Sequence, residues 1–189
     1  ASFGDYDRDG AVDLYLGQRL GTNLPRRLYR NLGGGYFADV TTAAGVVNPG
    51  FSFCAMFFDQ NDDGWPDIVW GNERAGGGTA APTGILRNLR NGTFVEVGAS
   101  LNASAPVDTM GITIADVEND GHWDIFHTNL LFGHLFLHWN GTVFDYVAPS
   151  YLTVAQQWGI GCLGTVGWNC RFFDYDADGF TDLWVQHTN

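Results

Sequence analysis

An all-β fold, a β-propeller built of four-stranded antiparallel blades, is predicted for this 189-residue chain by three observations. An acidic nine-residue loop recurs four times, its first aspartates spaced 54, 57 and 58 residues apart, so one supersecondary unit is repeated. Short apolar, β-forming runs flank every loop and are too short for helices. Two more strand-like runs around a glycine-bearing turn follow the first three loops, making four strands per unit.

The elements follow in order. Ala1–Gly4 reads as the tail of a first strand, and Phe51–Phe58, Met110–Ala115 and Val166–Phe173 are its counterparts before the later loops. Second strands begin at Asp13, Asp67, Asp124 and Asp182 with β-formers such as Leu14-Tyr15-Leu16 and Ile68-Val69-Trp70. Third strands are expected at 27–30, 85–87 and 135–138, and fourth strands at 36–40, 93–97 and 143–147. Asn91-Gly92 and Asn140-Gly141 suit hairpin turns that require positive φ. Pro, Gly and small residues accumulate near 48–50, 103–107 and 150–163, which divides a single propeller segment, 1–189, into units of about 1–48, 49–104, 105–150 and 163–189. The fourth unit stops after its second strand. Three full blades and half of another do not close a ring, so two readings stand: a piece of a longer propeller, which is preferred, or completion by partner chains into a ring or filament.

The loops carry the chemistry. They are Asp5, Asp7, Asp9 and Asp13; Asp59, Asn61, Asp63 and Asp67; Asp116, Glu118, Asp120 and Asp124; and Asp174, Asp176, Asp178 and Asp182, each set curled around a glycine, Gly10, Gly64, Gly121 or Gly179. Oxygen ligands at positions 1, 3, 5 and 9, with a glycine at 6 that lets the backbone turn, are what a hard divalent cation requires. About four calcium ions per chain are therefore expected. The loops supply fifteen of the 21 acidic residues, so four Ca²⁺ would bring the formal charge from -12 to -4. The acidity is ligand acidity, and with nine Lys plus Arg in no basic stripe a nucleic-acid partner is not expected.

The loops, with the trailing Leu28-Tyr-Arg-Asn31-Leu-Gly-Gly-Gly-Tyr-Phe37-Ala-Asp-Val-Thr41-Thr-Ala-Ala-Gly45, resemble the FG-GAP/VCBS repeat family over essentially the whole chain. That family includes integrin α-subunit propellers and relatives of the ASPIC/UnbV and cartilage acidic protein group. The resemblance implies an ion between the first two strands of each blade, and a backbone carbonyl ligand at position 7: Ala11, Trp65, His122 and Phe180. Two residues depart from the pattern: Asn61 replaces an anionic ligand, and Glu118 puts a longer side chain at position 3, so a distorted or weaker third loop is expected.

A search for catalysis finds little. His122, His127, His134 and His138 form no zinc motif, and the glycine runs at 33–35 and 76–78 lack the Lys and Ser/Thr of a phosphate loop. Asp39, Asp62, Glu73, Glu96, Asp108 and Asp145, the carboxylates outside the ligand positions, suggest no acid–base pair. No catalytic or cofactor-binding residue is assigned and the chain is not expected to be an enzyme. Trp70, Trp168 and Trp184 read as packing between sheets, whereas Trp65 and Trp123 are the better candidates for a sugar-stacking surface.

Cys54, Cys162 and Cys170 make an odd count; a Cys162–Cys170 disulfide is plausible and Cys54 reads as a buried thiol. Asn91, Asn102 and Asn140 satisfy the N-glycosylation pattern. No run approaches the ~20 apolar residues of a membrane span, and the N-terminus has no basic segment leading into an apolar one. The expected role is a calcium-stabilised extracellular or cell-surface module for adhesion or assembly, with a protein or glycan as partner. The alternatives are a lectin-like propeller or a non-catalytic part of a polysaccharide-active enzyme.

Overall fold

The computed structural model describes residues 1–17, 26–46, 51–73, 81–130, 133–147 and 166–188, and no helix occurs among them. Blade 1 is a sheet of β1 (Ser2–Gly4), β2 (Asp13–Leu16), β3 (Arg27–Asn31) and β4 (Phe37–Asp39), paired antiparallel in chain order. Blade 2 repeats it with β5 (Phe51–Phe58), β6 (Asp67–Glu73), β7 (Gly84–Asn88) and β8 (Phe94–Glu96). Blade 3 uses β9 (Thr109–Ala115), β10 (Asp124–Asn129), β11 (Leu135–Trp139) and β12 (Phe144–Tyr146). Blade 4 has β13 (Val166–Phe173) and β14 (Asp182–Thr188) alone among the described residues. The first strands β1, β5, β9 and β13 contact one another in sequence, as the inner strands of a propeller do.

Second strands of blades 2 and 3 run two or three residues beyond the apolar stretches that announce them, because Gly71-Asn72-Glu73 and Asn129 still pair with the preceding strand. Blades 2, 3 and 4 each absorb a register shift near that end, at Ser52/Cys54, His127/Asn129 and Gly167/Asn169, which bends the inner strand there. Positive φ in the hairpins falls on Gly92 and Gly141, and in blade 2 also on Arg90, while Asn91 and Asn140 are outside that region.

The core lies between blades. Tyr6, Tyr15, Leu28 and Val46 of blade 1 pack on Ile68, Trp70, Leu86 and Phe94 of blade 2. Val69, Ile85 and Leu101 of blade 2 pack on Ile125, Leu137 and Phe144 of blade 3. Phe126 then meets Phe172 of blade 4 with ring centroids 6.2 Å apart. Close approach depends on small residues: a Cβ on Gly4 would lie 2.6 Å from the Phe57 ring. Every residue of β6 and β10 is buried because both faces are covered, whereas β14 alternates between half-buried and exposed. The expectation that Trp70, Trp168 and Trp184 pack between sheets therefore holds for Trp70, buried at 2% exposure, and fails for Trp168 and Trp184, which are 42% and 46% exposed. Those two stand on the half-blade, where no further described sheet covers them.

One set of buried polar groups, including Arg26, Asn72, His127 and Asn129, lies at the end opposite the acidic loops. Arg26 is fully buried, lies 4.5 Å from the Trp70 ring and donates to Asn72 Oδ1, and burial lowers its pKa to about 10, so it stays cationic at neutral pH. His127 is buried and pushed down to about 3 by desolvation; His134, whose Nδ1 accepts the Asn129 N–H, is pushed down to about 4 by burial and by nearby His187. Both fold as neutral imidazoles while the unfolded chain protonates near 6.5, so their contribution is fully present above pH 6.5 and is lost as pH falls toward 4. In chelator, urea unfolding should show stability falling at up to about 1.4 kcal/mol per pH unit for each of the two across that window. His127→Gln should remove its share of that slope; an unaltered slope would count against the account.

Cys54 and Cys170 are free thiols, and burial raises both, Cys170 to about 12, which keeps them protonated and unreactive. Cys170 Sγ lies 4.0 Å from the Phe126 carbonyl oxygen. The expected Cys162–Cys170 bridge involves Cys162, which lies outside the described residues.

Candidate metal centre

Each acidic loop joins the first and second strands of its blade, and all four fold alike. The position-1 carboxylate accepts the backbone N–H groups of positions 5 and 6: Asp9 and Gly10 on Asp5, Asp63 and Gly64 on Asp59, Asp120 and Gly121 on Asp116, and Asp178 and Gly179 on Asp174, over 2.6–3.1 Å. The position-5 carboxylate accepts the N–H of position 7, from Ala11, Trp65, His122 or Phe180, at 2.9 Å in all four. This tight curl needs left-handed backbone at two places. They are Gly10, Gly64, Gly121 and Gly179 at position 6, with φ between 83° and 90°, and Arg8, Asp62, Asn119 and Ala177 at position 4, with φ between 54° and 60°.

The position-9 aspartate ties the loop to the sheet. Its Oδ2 accepts the N–H of position 2, from Tyr6, Gln60, Val117 or Tyr175. In the three complete blades its Oδ1 also accepts a third-strand N–H, from Asn31 to Asp13 at 2.8 Å, Asn88 to Asp67 at 2.7 Å and Trp139 to Asp124 at 2.9 Å. Asp13 and Asp67 are fully buried and Asp124 nearly so, whereas Asp182 is exposed. Desolvation raises the Asp13 pKa and pushes Asp67 up to about 6, against the hydrogen bonds that favour the anion.

Ligand positions converge most closely in the first and last loops. Asp5, Asp7 and Asp13 place one oxygen each within 4.8 Å of one another, and Asp174, Asp176 and Asp182 do the same. Asp9 stands outside the first of these groups. In the second loop Asn61 donates to Asp63 Oδ2 at 3.0 Å, and in the third Glu118 Oε2 lies 3.8 Å from His138 Nε2. The donor set is oxygen throughout and carboxylate-rich, with two carboxylates that burial alone penalises as anions, and this fits a hard divalent cation.

Basic partners around the loops are not part of the ligand pattern and emerge only from the fold. Arg30 on β3 lies 2.6 Å from Asp7 and 2.8 Å from Asp9, Arg90 grips Asp63 at 2.8 Å, and His138 Nδ1 lies 3.0 Å from Asp124. The Ala11 N–H and then the Arg30 guanidinium hold Asp9 below the ordinary carboxylate range; burial pulls Asp63 up, but Arg90, the Trp65 N–H and Asn61 outweigh it. Arg30 and His138 each directly precede the residue whose N–H reaches the position-9 aspartate, Asn31 and Trp139, whereas Arg90 lies beyond Asn88. Neighbouring loops also touch, with Arg8 of the first 5.6 Å from the Trp65 ring of the second, and Asp62 3.2 Å from His122 of the third.

The repeated strand–loop–strand unit is matched by an FG-GAP-like repeat at residues 5–70 and again at 59–127. The chain belongs to the FG-GAP-like repeat family. It is also 26% identical over 196 residues to cartilage acidic protein 1 of Mus musculus, an overlap that takes in 98% of this chain and 28% of the relative's length. Both matched repeats of this FG-GAP protein start on the first aspartate of an acidic loop, Asp5 or Asp59, and run through the corresponding loop of the next blade.

Among the remaining predicted sites, Asn91, Asn102 and Asn140 are all exposed. Asn91 and Asn140 sit in hairpin turns, where their Oδ1 atoms accept the Thr93 and Thr142 N–H groups. Asn102 uses its Nδ2 to reach the Phe144 carbonyl of the next blade at 2.9 Å, so a glycan there would replace a bond between blades. No helix among the described residues is long and apolar enough to cross a membrane.

Proposed function

We propose that this FG-GAP chain is a calcium-stabilised extracellular propeller module with a structural, adhesive or assembly role and no catalysis of its own. The observation that carries it is the fourfold recurrence of one carboxylate loop, locked by the same N–H bonds, in which the buried Asp13 and Asp67 are costly as anions without a cation. Asp5, Asp7, Asp9 and Asp13 with the Ala11 carbonyl would hold one ion, and the equivalent residues of the other three loops one each. Bound calcium would supply positive charge between the two innermost strands of a blade and rigidify that rim.

Calorimetric titration of the chelator-treated protein should reveal about four calcium ions per chain. Asp5→Asn together with Asp7→Asn should remove one of them. A chain that takes up no calcium at about 2 mM, or a double variant with unchanged stoichiometry, would reject the assignment.

A lectin-like surface is the second reading. It is favoured by exposed aromatic side chains beside the acidic loops, Trp123 at 39% and Phe180 at 68% exposure, which offer flat faces on which a sugar ring can stack.

A further inference from the structure

The position-5 carboxylate has one oxygen left for a cation, because its Oδ1 already accepts the position-7 N–H in all four loops. In the first loop that remaining atom is taken: Arg30 Nη2 donates to Asp9 Oδ2 at 2.8 Å. Arg30 Nε also lies 2.6 Å from Asp7 Oδ2, at ligand position 3, as a charge contact without hydrogen-bond geometry. In the second loop Asp63 Oδ2 accepts Arg90 Nη2 at 2.8 Å and Nε at 3.1 Å, together with the Asn61 amide at 3.0 Å. The third loop differs. Asp120 Oδ2 meets no cation among the described residues, and His138 of that blade faces Glu118 and Asp124 instead. Arg30 lies on β3 and Arg90 in the turn after β7, so two different chain positions converge on one atom of the repeat.

We infer that Arg30 and Arg90 set the calcium affinity of the first two loops, by competing with the cation for the free oxygen of the position-5 carboxylate. The inference rests on the calcium reading of the loops and deepens it. A guanidinium is always charged and offers donors only, so it can neutralise these carboxylates but can never join them as a ligand. In the ion-free loop it offsets their mutual repulsion; toward an entering divalent cation it is a like charge beside the same oxygen. Both effects weaken binding. The opposite role, in which the arginine arranges the ligands and so strengthens binding, is not needed by the fold. Backbone N–H groups already position Asp5, Asp9 and Asp13, and the same bonds hold Asp116, Asp120 and Asp124 in the third loop without an arginine. What Arg30 and Arg90 add is therefore charge. The two loops that carry them become sites whose affinity is held down from the third strand or the turn that follows it.

Calcium titration followed by NMR tests it loop by loop, because the Gly10, Gly64 and Gly121 amides each donate to the position-1 carboxylate of their own loop. In Arg30→Gln the calcium midpoint read at Gly10 should fall by about 3–30-fold while that at Gly121 stays in place. Arg90→Gln should do the same at Gly64. Arg30→Lys keeps the charge and should remain within about threefold of wild type, and the gain in the Gln variants should shrink in about 1 M salt. A merely structural contact would move neither the charge dependence nor the salt dependence. Arg90 is exposed, so Arg90→Gln carries the test if Arg30→Gln does not fold. A midpoint that is unchanged or higher in the Gln variants overturns the inference while leaving the calcium reading intact. Wild-type glycine amides that do not respond to about 2 mM calcium overturn the functional proposal, and this inference with it.

Discussion

If the proposed calcium sites are filled, excess chelator should lower the melting temperature by roughly 5–25 °C relative to a sample in about 2 mM calcium. The magnitude comes from mass action. Extracellular calcium modules bind at roughly 10⁻⁴ to 10⁻³ M, so each occupied site contributes on the order of 0.6–1.8 kcal/mol and four contribute about 2.5–7. That is comparable with the whole stability of a domain, which makes structural calcium a sufficient role. The physical origin is local: burial pushes Asp67 up to about 6, so the metal-free fold should lose stability as pH rises from the ordinary carboxylate value of 3.8 through about 6, a loss that a bound cation would offset. Differential scanning calorimetry checks the shift, and an unchanged melt in chelator would sink it.

Phe126→Ala should cost about 3–5 kcal/mol. Phe126 is fully buried on β10 and is surrounded by the rings of His134, Phe136 and Phe172 at 5.3, 6.4 and 6.2 Å. Truncation should open a cavity between blade 3 and the described strands of blade 4, β13 and β14. The packing of β13 and β14 on blade 3 should then loosen first, because Phe126 is their aromatic contact with it. Urea unfolding gives the global loss, and amide exchange should show β13 and β14 deprotected before β6; a loss below about 1 kcal/mol, or uniform exchange, would contradict the interface argument.

Much of this was legible in the residues. The short β-forming runs and the acidic loops place β5 and β13 within their observed bounds and the second strands at their observed starts, because a glycine at position 6 and an aspartate at position 9 are local requirements of one turn. What could not be read were contacts made across blades and across strands. Arg30 and Asp7 are 23 positions apart in the chain yet 2.6 Å apart in the fold, and nothing in the spacing announces that pair. Trp184 illustrates the opposite error. Its aromatic, strand-borne character is that of Tyr15 and Phe126, but burial belongs to the neighbour that covers a side chain and not to the side chain.

The sequence by itself determined the fold class, the repeat and the candidate ligand positions of every loop, since each depends on residues within a few positions of one another. Only the tertiary structure decided which carboxylates are buried, which cations face them and which aromatic faces stay uncovered. Those properties depend on desolvation and on long-range neighbours, and both exist only once the blades have packed.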